Sequence, residues 1–201
     1  ASNQATAQTS ISQTLTNTTS TSLSAIYTVT ASVGTAPNIC TDTFDITITV
    51  NPKPSIADVT QAICTGNTFT VTPTNTAPDV VPTGTTYTWT VATPAGITGA
   101  SNQATAQTSI SQTLTNTTST SLSAVYTVTA TFGTAPNSCS SSFNITVTVI
   151  PNPTITDVTQ TICSTGTFTV TPTNTAPDVV PTGTTYTWTV ATPAGITGAS
   201  N

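Results

Sequence analysis

Apolar and polar residues alternate strictly along several short stretches of the chain. In TTYTWTV (85–91), Tyr87, Trp89 and Val91 fall on one side and Thr86, Thr88 and Thr90 on the other. Period-two alternation of this kind predicts half-buried β-strands. TFTVTP (68–73) sets Phe69 and Val71 against threonines, and AVYTVTATF (124–132) aligns Tyr126, Val128, Ala130 and Phe132. FNITVTVI (143–150) aligns Phe143, Ile145, Val147 and Val149. A first strand is expected to begin at Ile56–Val59, and ISQTLTN (110–116) reads as a weaker strand built on Ile110 and Leu114. Pro, Gly, Asn and Asp cluster at 74–84, 93–102 and 133–138 and read as turns. No stretch carries a helical period.

Short strands at this density predict an all-β, immunoglobulin-like sandwich of about seven strands per unit. Its inward row is expected to be Phe69, Val71, Trp89, Tyr126, Val128, Ile145 and Val147. A large apolar side chain buried there contributes roughly 1.5–3 kcal/mol. Tyr126 is placed either as a tyrosine corner or as an ordinary strand tyrosine.

The pattern itself repeats. Residues 1–25 are letter-identical to 100–124, and 69–99 to 168–198, so the period is 99 residues. That length is one small domain, not a solenoid rung. Boundaries belong at extended, Pro-rich linkers, here NPKP (51–54) and IPNP (150–153), each following an alternating strand. The expected organisation is the back half of one repeat over 1–53, a complete repeat over 54–152, and the front half of another over 153–201. The half-repeats belong to a longer polymer or pair with neighbouring copies.

Charge then narrows the function. Charged residues are 3% of the chain, with one base (Lys53), six acids, no His and a net charge of −5. Nothing is available to neutralise phosphates, which excludes nucleic acid as a partner. No apolar run has the length of a membrane span. Threonine favours strands while showing water a hydroxyl. A threonine-covered surface suits an exposed extracellular material.

The four cysteines fall two per period: Cys40 and Cys64, then Cys139 and Cys163. Without His or C-x-x-C spacing they do not read as a zinc site, and a disulfide is expected. Within one repeat the pair is Cys64–Cys139. In a seven-strand sandwich, however, the turn with Cys64 and the hairpin with Cys139 lie at opposite ends, about ten strand residues of 3.3 Å apart. A disulfide does not span that distance. The alternative links Cys64 to the last-hairpin cysteine of the following repeat, so that Cys40 and Cys163 also pair outside the chain. Both arrangements remain open at this level.

Catalytic candidates are sparse. Ser and Thr have no basic activator, and Asp58 and Asp79 stand alone in sequence. Asp42 and Asp45 suggest a calcium loop, but the second copy has Ser141 and Asn144 there. The sequons at 17–19, 116–118 and 144–146 read as strand and loop residues, and Val80 with Val81 as loop packing or a small contact patch between repeats. No enzyme, cofactor or metal site is expected.

CTGNTFTVTP (64–73), YTWTV (87–91), YTVTATFGTAPNSC (126–139) and FNITVTVIPNP (143–153) resemble the PKD-like and Ig-like repeats of very large Bacteroidota surface proteins, among them the giant gliding-motility adhesins of flavobacteria. The likeness spans the whole chain. It departs from ordinary PKD domains after YTW, where TVATPAG replaces an acidic, Gly-rich turn. The resemblance implies type IX secretion, display in a cell-surface filament and transport by the gliding machinery. The expected function is therefore a structural stalk repeat of a secreted adhesin. Its partners would be neighbouring repeats, with surface polysaccharide and the gliding or secretion machinery beyond them, and without insertion into a membrane. The rival readings are a carbohydrate-binding sandwich, which needs an exposed indole, and an ice-binding threonine array, which needs a flat ladder of short period.

Overall fold

A computed structural model describes residues 6–200, and every regular element among them is a strand. Strands β1 (Leu23–Thr35) and β2 (Asn38–Val50) form a long antiparallel hairpin. Nine strands follow, all between the two proline seams: β3 (Val59–Cys64), β4 (Thr68–Val71), β5 (Thr86–Ala92), β6 (Ile97–Thr98), β7 (Gln103–Gln107), β8 (Ile110–Thr113), β9 (Thr115–Asn116), β10 (Leu122–Phe132) and β11 (Cys139–Ile150). Residues 153–200 carry no strand, only an isolated bridge between Thr154 and Val179.

The nine strands build an immunoglobulin-like β-sandwich. One layer has five strands in the order β3-β11-β10-β5-β7, and β4-β8 and the short β6-β9 ribbon form smaller antiparallel pairs. All pairs are antiparallel except β3 with β11, which runs parallel from Val59↔Ile145 to Cys64↔Ile150. The first and last strands of the unit therefore lie side by side and point the same way. Its N-terminal and C-terminal poles are at opposite ends.

The core follows the alternation. Phe69, Val71, Trp89, Tyr126, Val128, Ile145 and Val147 are all buried, joined by Tyr87, Ile97, Ile110, Leu114, Ala124, Ala130, Phe143 and Val149. Phe69 of β4 meets Tyr126 of β10 with ring centroids 5.0 Å apart, an aromatic contact between the layers. Tyr87 and Phe143 meet edge-on at 6.4 Å from the two strands that flank β10. Opposite Tyr87 in the register stands the small Ala130.

Three details differ from the sequence reading. The first strand begins at Val59, because Ser55 is already committed to a two-bond bridge with Val80. The 110–116 stretch splits at Leu114, whose side chain is fully buried while its N–H donates to Asn67 O at 3.1 Å. Short strand β6 occupies part of the 93–102 stretch that reads as a turn, and β7 follows it where no strand was expected. β7 (QATAQ) has no large apolar residue and is an edge strand.

The two copies of the last hairpin share their alternating pattern but not their burial. Phe143 is 4% exposed, whereas its counterpart Phe44 on β2 is 48% exposed. Likewise Trp89 is 6% exposed and Trp188 68%. Large-to-small changes in a packed core cost about 3–5 kcal/mol for Phe→Ala. Phe143→Ala is thus expected to lower unfolding free energy by that amount in urea titrations. The matched Phe44→Ala change should cost under about 1 kcal/mol.

Candidate functional site

No cluster of three or more His, Cys, Asp or Glu residues that could hold a metal is found among the described residues. Asp42 and Asp45 are both exposed on β2, and at three residues apart they face opposite sides of the strand. Asp79 Oδ1 accepts the Ala57 N–H at 2.9 Å, and Asp58 Oδ1 accepts the Asn144 N–H at 2.7 Å. Asp79 ties one loop to another, and Asp58 ties a loop to β11. The Trp89 indole is buried, and its Nε1–H donates to Ser101 O at 3.1 Å, so it offers no face for stacking on a sugar.

What the structure does build, twice, is a joint. Asn75 Nδ2 donates to Ser20 Oγ at 3.0 Å, and one period later Asn174 Nδ2 donates to Ser119 Oγ at 2.7 Å. Each Asn also accepts, at Oδ1, the N–H of Val81 or Val180. The bridge Ser55–Val80 recurs as Thr154–Val179, and the bond from Ala57 N to Asp79 recurs from Thr156 N to Asp178. The collar of each repeat thus takes the same form whether or not a sandwich follows it.

The other side of the joint hangs on one buried amide. Asn116 Nδ2 donates to Thr120 O and Val149 O, both at 2.8 Å, and its Oδ1 accepts from Thr118 N and Thr118 Oγ1. This staples the 116–120 turn to the end of β11 and presents Ser119 to the next repeat. Asn17 makes the equivalent bonds to Thr21 O and Val50 O. A buried amide with every polar atom engaged explains the NTT triplet as a structural turn.

The seam is also not the extended linker its prolines suggest. Pro52 and Pro54 are fully buried. Proline has no N–H to satisfy, so it packs into a joint without a polar cost. Asn51 Nδ2 reaches across the seam to Asn137 O at 3.1 Å, with its Oδ1 held by Ser22 Oγ at 2.9 Å.

A second polar network locks the core. Tyr126 Oη donates to Gln112 Oε1 at 2.9 Å, and Gln112 Nε2 donates to Ser101 O, the oxygen that also accepts from Trp89. Tyr126 is therefore not a tyrosine corner, since its hydroxyl bonds a side chain and not an upstream backbone group. The same bond is seen between Tyr27 and Gln13. Burial pushes the Tyr126 hydroxyl up to about 12 and raises Tyr87 as well.

The Cys64–Cys139 disulfide is not formed, and all four cysteines are free thiols. Cys64 ends β3 beside Ile150, whereas Cys139 begins β11 at its other end. The length of β11 separates them, about 35–40 Å at 3.3 Å per residue. Asn116, Asn75 and Asn51, which make the joint, were not singled out from the sequence as functional. Asn116 stands out only in its NTT triplet and, like Asn75, by identity between copies (Asn17/Asn116, Asn75/Asn174), while Asn51, whose counterpart is Ile150, carries no signal.

Against known families, residues 61–153 match the model of the PKD-like domain. No curated protein matches the chain. PKD-like domains are immunoglobulin-type units, generally non-catalytic and typical of extracellular proteins. No helix among the described residues is long and apolar enough to cross a membrane.

Two outcomes follow from these networks. Asn116→Ala leaves the Val149 and Thr120 carbonyls without their donor, and an unsatisfied buried group costs about 1–3 kcal/mol; urea midpoints read the loss. The raised tyrosines give the pH dependence its alkaline limb. An unfolded tyrosine ionises near pH 10, so the stability gained by keeping Tyr126 neutral is fully present below that. It is lost as pH rises through about 12. Tyr126→Phe is expected to flatten the fall in midpoint between those pH values, leaving the smaller contribution of Tyr87.

Proposed function

We propose that the chain is a stalk segment of a large secreted adhesin, a run of near-identical sandwiches joined rigidly end to end and displayed on the cell surface. The observation that carries this reading is the joint that recurs one period apart, Ser20–Asn75 and Ser119–Asn174, around a proline-packed seam. A joint reproduced at each seam sets the same orientation between successive units. The poles of the sandwich lie at opposite ends, so identical joints generate a rod and not a cluster. Its length would grow by about 40 Å per repeat, the length of the long strands.

The low charge supports an extracellular setting, and several hydroxyls pair across strands. Thr68 and Thr113 hydroxyls lie 2.6 Å apart, Thr70 and Ser111 2.9 Å, and Ser123 and Thr148 3.1 Å. Such a surface is inert, which is what a spacer requires, and any weak contact it makes is multiplied by repetition. The resemblance to gliding adhesins extends the proposal to type IX export, surface adhesion and gliding. The stalk's partners are then its own neighbouring repeats, with surface polysaccharide and the motility machinery at its ends.

The test is a series of one to five complete repeats kept in reductant. Solution scattering should give a maximum dimension rising linearly by about 40 Å per repeat. Pulling on single molecules should give one step of about 300 Å for each sandwich, from 99 residues at 3.3–3.6 Å each less the folded length. A dimension that grows with the square root of repeat number would mean flexible joints and defeat the stalk reading. On cells displaying the natural protein, deleting internal repeats should shorten the surface filament while leaving export intact.

A further inference from the structure

We propose that, in an array of complete repeats, Cys139 of each repeat forms a disulfide with the copy of Cys64 in the repeat before it. This rests on the tandem-repeat part of the proposed function and not on adhesion. The geometry comes from laying the period over the seam. In the complete sandwich, Cys64 is the register partner of Ile150 in parallel strands, and Thr65 N donates to Ile150 O at 2.8 Å. One period earlier, the position of Ile150 is held by Asn51. A complete preceding repeat therefore sets its own Cys64 beside Asn51, with the following N–H directed at the Asn51 carbonyl.

Cys139 already occupies the other side of that carbonyl. Its Sγ lies 3.9 Å from Asn51 O, and the Asn51 side chain bonds Asn137 O in the same hairpin. Paired residues on neighbouring strands project to the same face of the sheet. The side chain at the Asn51 position points into the next repeat's hairpin, so the side chain of the adjacent cysteine does too. Cys64 is exposed on its sandwich and Cys139 half-buried at the seam, so neither thiol is sequestered in a core. The neighbouring-strand spacing of about 4.8 Å sets that Cys64 beside Asn51, and Cys139 Sγ is 3.9 Å from the Asn51 carbonyl, so both sulfurs are brought to the same residue. The pairing accounts for both cysteines of every period and uses the polar separation that forbids the bond within a repeat.

The bond forms by exchange with a disulfide donor, either a low-molecular-weight disulfide or an oxidised dithiol oxidoreductase. The two cysteine thiols give up two electrons and two protons, the Sγ–Sγ bond forms, the donor's S–S bond breaks, and two donor thiols leave. In an oxidised array the load then jumps from repeat to repeat through these bonds. Only the stretches Cys40–Cys64 and Cys139–Cys163 stay outside them.

The test places residues 1–99 before Ala1, which continues the period without a break. Only Cys139 and the Cys64 of the added copy are kept, and the other cysteines become Ser. After equilibration with oxidised and reduced glutathione, the expected result is a monomer with no free thiol and a single peptide linkage joining the two sites. The 1–201 chain with only Cys64 and Cys139 retained should keep both thiols. Free thiols in the extended chain, or a linkage within one repeat in the shorter one, would overturn the proposal. Scattering of the same extended chain in reductant reports separately on the rod. In force measurements on a longer array with all cysteines present, oxidation should abolish the long unfolding steps and reductant restore them.

Discussion

Everything in this fold depends on one half of the repeat covering the other. The hairpin of the second half forms wherever its sequence occurs, since β1–β2 and β10–β11 are both in register over their length. Its apolar face is buried only in the sandwich, where β3 and β5 flank it in the same sheet and β4 and β8 belong to the other layer, which is why Phe143 is covered and Phe44 open. Strand pairing here is local, while core formation joins segments some 75 residues apart, such as Phe69 and Phe143. The cooperative unit is therefore the sandwich assembled between two seams. The collar, built from bridges such as Ser55–Val80 and the Asn75 turn, is a separate local motif that forms at both seams.

A chain with almost no charge must satisfy its polar groups by other means. It does so with amides, hydroxyls and a few carboxylates used as backbone acceptors. Asn116 and Gln112 each serve several partners, and no buried side-chain polar atom among the described residues lacks a hydrogen bond. Neutral hydrogen bonds are little screened by salt, unlike surface ion pairs. A surface whose hydrogen bonds are almost all neutral is therefore little affected by ionic strength. It also gives the chain no strong electrostatic field.

The core was legible in the sequence because alternation reports burial directly. Every residue of the expected inward row, from Phe69 to Val147, lies inside. The period-two signal fails where a strand carries no large apolar residue. The edge strand β7 pairs with β5 through its backbone and leaves no hydrophobic trace, and β6 is too short to show one. The joint was illegible for a different reason. Hydrogen bonds such as Asn174 to Ser119 join residues 55 positions apart across a seam, and neither residue type is unusual in a turn. The burial of Pro52 and Pro54 was equally illegible, because it depends on tertiary packing that no single stretch of sequence displays.

The parallel pairing of β3 with β11 ties these features into a mechanical argument. In a sandwich whose first and last strands were antiparallel neighbours, tension on the termini would peel one hydrogen bond at a time. Here tension drags β3 toward the N-terminal pole and β11 toward the C-terminal pole, so the strands slide past each other. All six register pairs, from Val59↔Ile145 to Cys64↔Ile150, are then loaded together. Rupture requires several backbone bonds to fail at once, each worth about 0.5–1.5 kcal/mol net, instead of one after another. The collar reinforces the same end, because the Ser55–Val80 bridge and the Asp79 acceptor of Ala57 N–H hold the segment leading into β3. A unit built this way resists pulling along its long axis, the direction in which a stalk transmits force.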